Sequence, residues 1–545
     1  MIERNKRLSC GVPSIPKSRI TSMTEAIENI RKSVDGKKLP KWVGELYLEF
    51  HRGTYTSQAK NKRNNRKCEF LLQETEAAML LSEYLTNGTY DKNGIYSDWE
   101  TLLKNQFHDI IPGSSIHEVY ETSDREYAEI LSSNNKRLSD ALDKIAENIS
   151  EQGIMVYNPI GITRSGVVNV DGKEYFAADV PAYGWKMLHP ESSVRSLDVT
   201  KRHMENDFFA IDFDSDMNIC AIFDKANSRN VLKPGERANV LRAFDDHPRQ
   251  FDNWELSNYY SEKMWEINDV AAVDTELNDE TATVKIKRGF LNSLFEQEIV
   301  IYRNIARIDF NCNVDWNEHH IFVKAAFPVD VLSERATYEI QYGTVERPTH
   351  MNTSWDEAKF EVCGQKWADF AEPNYGAALI NDCKYGYDIH DGVMSLSLIK
   401  CGTYPDKTAD IGHHKFSYSF MPHSGDWRSA GVSNEAYSFN CPLITKKAGG
   451  NGTVSPQFSF ITADNPNVFI TTVKKACDSD DMIVRAYEAY GIRTKTTFKT
   501  GIKIRSAEES DMMETKTEAA LSVYDSSAFD AEFKPYEIKT LRIKR

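Results

Sequence analysis

No stretch of the sequence approaches about 18 consecutive apolar residues, and this absence excludes a membrane-spanning helix. The first nine residues, MIERNKRLS, have no apolar segment behind them, so no secretory leader is legible and a cytoplasmic location is expected. An excess of basic charge is also missing. The formal net charge is −15, whereas a nucleic-acid binder needs a basic face for its phosphate contacts, so nucleic acid is excluded as a partner. The nine cysteines are scattered singly from Cys10 to Cys477 without a CxxC pair. That usage excludes a zinc knuckle or a disulfide frame and fits reduced thiols.

What is present is a chain of 545 residues, too long for one core, since single cores stop growing at roughly 250 to 300 residues. Apolar residues at 41% and charged residues at 27% are ordinary for globular domains, so several folded domains are expected. A short helix is predicted over Thr24–Ser33, entered through a Ser-Met-Thr cap, and Trp42–Phe50 (WVGELYLEF) reads as a buried strand. From Cys68 to Ser150 the apolar period is helical, near 68–85, 96–110 and 116–150, with breaks at Gly88, Gly94 and Gly113. After Gly153 the period becomes two. Ile308, Phe310, Cys312, Val314 and Trp316 alternate with polar residues, as do Ala282, Val284 and Ile286, and Asp171-Gly172 reads as a type I′ hairpin turn. Gly449–Gly452 is the one flexible-looking linker. The fold class expected is therefore α+β and multidomain: a three-helix bundle, a large antiparallel β-sandwich and a small C-terminal β domain.

The segment Asn105–Ser115, NQFHDIIPGSS, closes the second helical stretch. Trp99, Leu102, Leu103, Phe107 and Ile110 define its apolar face, and at about 100° per residue His108 lies about 180° from Trp99. The ring is expected to project away from the packed helices. A single imidazole makes no zinc site, which needs at least three protein ligands. Elsewhere, the neighbouring pairs His319-His320 and His413-His414 point to opposite faces of a strand and do not chelate through both rings. Those pairs and His423 are expected on the sandwich surface. Trp254, Trp316, Trp355, Trp367 and Trp427 are expected mostly in buried packing, and Asp245–Pro248 reads as a turn.

NQFHDIIPGSS does not stand alone. GELYLEFHRGTYTSQ from Gly44, FDNWEL from Phe251, RPTHMNTSWDEAKFEVCGQKWADFAE from Arg347, NDCKYGYDI from Asn381, HSGDW from His423 and RAYEAYG from Arg485 occur with it. Together, in this order, they resemble the metal-dependent alpha-mannosidases of glycoside hydrolase family 38, over essentially the whole chain. The resemblance implies the C-terminal half of such an enzyme, with residues 1–60 as the end of a catalytic β/α domain, 61–150 as a helical middle domain, 151–448 as the large sandwich and 449–545 as the C-terminal β domain.

The same resemblance implies a divided active site for retaining hydrolysis of terminal α-D-mannosyl residues. The β/α domain would supply the nucleophile, the acid and most metal ligands, and this sequence has no His-x-Asp to provide them. No catalytic carboxylate is assigned here. His108 is implied as one ligand of a divalent ion, zinc or alternatively cobalt, completed by ligands outside this chain. Asp109 is implied as a partner for a sugar hydroxyl, and Arg52 and Tyr55 as lining the sugar pocket. The partners implied are a mannose-containing oligosaccharide and a complementing catalytic domain, with no membrane; assembly of like subunits is left open. The alternative is a non-catalytic carbohydrate-binding sandwich protein or an inactive truncated remnant.

Overall fold

The computed structural model describes residues 2–11, 13–189 and 195–545, which leaves Met1, Val12 and 190–194 outside the account below. The chain divides into two units, one ending at Tyr47 and the other running from Leu48 to Arg545.

The first unit carries two helices, α1 (Ile2–Ser9) and α2 (Met23–Val34), neither of which buries a residue. The cap of α2 is Ser22, whose hydroxyl accepts the Glu25 amide at 3.2 Å. The expected strand over Trp42–Phe50 is not there. Val43 and Leu46 are 81% and 83% exposed, and Leu48 and Phe50 are exposed as well. Extended backbone needs a ladder to satisfy its N–H and C=O groups, and among the described residues none pairs with this run.

Three helices open the second unit: α3 (Ala59–Thr86), α4 (Lys92–Asn105) and α5 (His117–Glu147). All three exist where helical periodicity predicts them, but two boundaries move. α3 starts nine residues before Cys68, through AKNKRNNRK, which has no apolar period to betray it. Asn61, Lys62, Asn64, Asn65 and Arg66 are nevertheless buried, because that end of the helix is embedded among polar groups of the β domains. α4 stops at Asn105 instead of reaching residue 110, so His108 lies in the turn beyond it and the helical-wheel argument does not apply.

The large sandwich pairs a nine-stranded antiparallel sheet with a six-stranded one. The first runs in the order 269–277, 281–290, 293–302, 308–316, 412–424, 375–381, 367–372, 335–340 and 343–348. The second runs 264–266, 240–245, 321–328, 393–400, 386–390 and 362–363. Inward residues of the alternating strands meet between them: Phe327 of the smaller sheet packs 4.8 Å from Phe420 and 5.6 Å from Phe310 of the larger, centroid to centroid. Strands Arg164–Val170 and Lys173–Val180 form the predicted hairpin, with Asp171 and Gly172 both at positive φ, 52° and 86°. Two further sheets, of five and four strands, make a C-terminal sandwich from Ile461 to Lys544. Its Val484, Phe498, Phe529 and Leu541 share one core with Leu72, Leu80, Leu102 and Leu142 of the helices, so the helices are cemented to this sandwich by apolar burial.

Several side chains differ in burial from expectation. Trp316, Trp367 and Trp427 are buried as predicted, but Trp355 is 61% exposed. Asp246 follows the end of a strand and is buried against the Lys400 ammonium at 2.6 Å. His414 and His423 are not surface residues; both are buried. Each has a polar partner within the sandwich: His414 donates through Nε2 to the Asp410 carbonyl at 2.7 Å, and His423 Nε2 meets the Asp369 carboxylate at 2.7 Å.

Burial, together with the nearby Lys384 ammonium, pushes His414 from its ordinary 6.5 down to about 4. The unfolded chain thus takes up this proton before the folded chain does, and stability is lost as the pH falls from 6.5 towards 4. In urea titrations across that window, wild type should lose up to about 3 kcal/mol more than His414→Gln; parallel curves would show that His414 does not titrate in this way.

Candidate functional site

Two turns carry the four residues singled out by the sequence. The first is a short 3₁₀ turn, Arg52–Tyr55, leading into α3. Arg52 is buried: its Nε and Nη2 both donate to the Ala358 carbonyl, at 3.1 and 2.7 Å, its Nη1 donates to Glu49, and its guanidinium lies 4.4 Å from the Phe360 ring centroid. Tyr55 is half-buried. Just before the turn, His51 sits in the left-handed region (φ 63°), its Nδ1 2.8 Å from the Glu255 carboxylate. Arg52, Glu49, Phe50, Phe251, Glu255 and Tyr259 line an open cleft of about 700 Å³. Its mixture of aromatic rings, guanidinium and carboxylates suits a polyhydroxylated ligand.

The second turn follows α4. Gln106 anchors it by donating to Asn65 and Glu69 of α3 at 3.0 and 2.7 Å, and Asn105 donates to Glu126 of α5 at 2.9 Å. The buried Glu69 carboxyl is pushed up by desolvation. His108 projects from this anchored base with its side chain 77% exposed, its ring 4.2 Å from that of Phe107, and its Nε2 3.4 Å from Asp109 Oδ2. Asp109 is fixed by Ser114, which donates to Oδ1 at 3.0 Å, and by Ser115, which donates to its carbonyl at 2.9 Å. Leu103, Phe107 and Ile116 are exposed around the same turn. The orientation expected of His108, outward from the helices, is therefore observed, though turn geometry produces it.

A residue that pattern reading passes over joins the two turns. Lys62, buried in the first turn of α3, donates to the Ser57 carbonyl on one side and to the Ile111 and Pro112 carbonyls, at 2.9 and 3.1 Å, on the other. Desolvation pushes its ammonium down and pushes the neighbouring Asp410 carboxyl up, while each attracts the other's charged form. Asp410 also accepts the amides of Gln58 and Ala59 at 2.6 and 2.7 Å, capping α3 from 350 residues away where no local side chain does. Asp406 receives Gln58 Nε2 at 2.8 Å; burial raises its pKa, but donors from Thr408, Gln58 and His117 hold it below the ordinary value. No local sequence signal marks these pairings, because the partners come from distant segments.

The structure thus clamps together the backbones of the two turns, but His108 does not line the cleft that Arg52 lines. It brings His108 next to Asp109, giving at most two donors. Among the described residues no group of three His, Cys, Asp or Glu side chains could hold a metal ion, so a divalent centre does not fit the residues present on their own.

Comparison with known proteins defines the class. Three family models match in succession: the alpha mannosidase middle domain at 49–145, the glycosyl hydrolases family 38 C-terminal domain at 204–408, and the family 38 C-terminal beta sandwich domain at 467–541. These matches fall on the helices and the two sandwiches described above. The chain belongs to glycoside hydrolase family 38, as its middle and C-terminal domains. It is 33% identical to human alpha-mannosidase 2C1 and 30% identical to alpha-mannosidase G of Dictyostelium discoideum, in each case over 99% of this chain. It covers 54% and 56% of those proteins, so it spans just over half the length of these relatives. The crystal structure of an alpha-mannosidase from Enterococcus faecalis V583 shares the fold over 96% of this chain and 72% of its own, with a TM-score of 0.81 at 15% identity.

The clamp makes a specific demand on Gly113. Its φ is +90°, and a Cβ there would meet the Ser57 carbonyl oxygen at 2.4 Å and its carbon at 2.7 Å. Gly113→Ala should cost about 2–4 kcal/mol of stability in urea unfolding, against about 1 kcal/mol for Gly172→Ala, whose φ is similar but which faces open space. Equal costs would mean that the two turns do not depend on their close approach.

Proposed function

We propose that these residues form the middle and C-terminal part of a retaining alpha-mannosidase acting on terminal α-D-mannosyl groups of oligosaccharides, in the cytoplasm. The observation that carries this reading is His108 and its neighbour Asp109, held on a doubly anchored turn, exposed, and ringed by the uncovered apolar side chains Leu103, Phe107 and Ile116. A polar pair inside an apolar rim fits a face closed by another domain. The nine cysteines, all free thiols, support a reducing compartment.

In this reading His108 supplies one ligand of a divalent ion, zinc or cobalt, whose remaining ligands lie outside these 545 residues. Such an ion orients and polarises sugar hydroxyls when bound. Asp109 accepts a hydrogen bond from a hydroxyl of the bound mannose, its Oδ2 being the carboxylate oxygen not occupied by Ser114. Retention requires two carboxyl groups about 5–5.5 Å apart, one as nucleophile and one as acid, and the complementing β/α domain provides both. Arg52 and Tyr55 contribute through the loop they build: Arg52 stiffens the wall of the cleft from a buried position, and the Glu255 carboxylate, held by the amide and Nδ1 of His51, lines the same cleft. The domain limits of the proposal are 1–60, 61–150, 151–448 and 449–545.

The test is to combine the purified chain with a family 38 catalytic β/α domain, assay an aryl α-mannoside, and measure bound metal. The mixture should turn over while the chain alone should not, and His108→Ala should lower kcat/KM by at least about 100-fold with loss of the ion. A His108→Ala mixture that keeps full metal content and rate contradicts the assignment.

A further inference from the structure

A second cavity, of about 250 Å³, lies between the start of α3 and the start of the strand 412–424 of the large sheet, and its charge is unlike that of the chain as a whole. Lys60 and Arg63 of α3, Lys384, and His413, His414 and Lys415 of the strand 412–424 line it, and no carboxylate does. The protein carries a net charge of −15, so gathering four lysine and arginine side chains around one hollow runs against its overall balance.

The carboxylates nearest this hollow are engaged elsewhere. Asp410 accepts the first amides of α3, Asp382 is paired with Lys67 at 3.0 Å and accepts the Ser417 amide at 3.0 Å, and Asp124 takes the Lys60 ammonium at its outer edge. Of the cations, Lys384 is 4% exposed, donates to the Leu398 carbonyl and lies 4.0 Å from the Phe416 ring centroid. Arg63 lines the hollow, and its Nε is buried with no hydrogen-bond partner among the described residues. The depressed pKa of His414, caused first by burial and next by Lys384, with His413 and Lys60 adding to it, reports the same positive field.

We propose that this cavity is an anion site for a phosphate group, as free inorganic phosphate or as a small phosphate monoester, with Arg63 and Lys415 as its principal recognition residues and Lys384 as the fixed charge at its floor. A planar guanidinium pairs with two phosphate oxygens at once, and the Phe416 ring and Cys383 give an apolar wall for a short organic tail. The cavity is larger than a phosphate ion, which leaves room for such a tail. This proposal is independent of the role assigned to His108.

Isothermal titration of the full chain with inorganic phosphate at constant ionic strength should show saturable binding at one site. Arg63→Glu/Lys415→Glu should abolish it while leaving the unfolding temperature in chloride buffer unchanged. Arg63→Gln alone should weaken it by about 10-fold, and this milder variant carries the test if the double variant folds poorly. A parallel titration with glycerol 1-phosphate separates the two sources: tighter binding than phosphate assigns a monoester, equal or weaker binding the free anion. No saturable binding by wild type, or undiminished binding by Arg63→Gln, overturns the proposal.

Discussion

Lys62, 4% exposed, is the residue on which the arrangement of the candidate site depends. Burying a charge is costly unless it is fully hydrogen-bonded and paired. Here three carbonyls, from Ser57, Ile111 and Pro112, surround it, and Asp410 supplies the countercharge. The geometry leaves little slack: Gly113 packs directly on the Ser57 backbone, and Gly53 packs on the carbonyls of Trp254 and Glu255. The turn bearing His108 and the turn bearing Arg52 are thereby held to one frame, and Ser57 extends that frame to the β-sandwich by donating to the Asn253 carbonyl at 2.7 Å.

This polar junction divides the labour of holding the helices. Towards the C-terminal sandwich, α3 and α5 bury apolar side chains in a continuous core, where energy scales with area and tolerates small shifts. Towards the large sandwich, the start of α3 is held by directional contacts: Gln58 to Asp406, the Asp410 cap, and Arg66 to the Tyr385 hydroxyl at 2.9 Å. Directional bonds fix orientation, and orientation is what a side chain contributing one ligand to a shared centre requires. Glycoside hydrolase family 38 membership gives that rigidity a purpose, since the proposed active site is completed from outside these residues.

Much of this architecture is legible in the sequence, for identifiable reasons. The alternation over Ile308–Trp316 predicts a strand buried on one face, and it is one; Asp171-Gly172 predicts a hairpin because both residues tolerate positive φ. Periodicity fails where burial is polar. The first nine residues of α3 are largely buried but carry only Ala59 as an apolar residue, too little to mark a period, so the helix is legible only from Cys68 onward. The apolar run at 42–50 has the composition of a strand without a described neighbour to pair with, and composition alone does not make a ladder. His414 and His423 are misplaced because the contacts that hold them inside, a backbone carbonyl for one and the Asp369 carboxylate for the other, leave no hydropathy pattern. Within the candidate site, His108 and Asp109 are singled out by family resemblance, whereas Lys62 and Asp410 emerge only from folding.

Hydrogen exchange of Lys62→Met, compared with wild type, tests most directly whether one buried charge organises this face. Losing the ammonium removes donors from both turns while keeping a side chain of similar length. The account predicts that 52–58 and 107–113 lose protection together, while the sandwich strand Ile308–Trp316 keeps it. Loss confined to one turn, or to neither, would contradict the claim that Lys62 joins them.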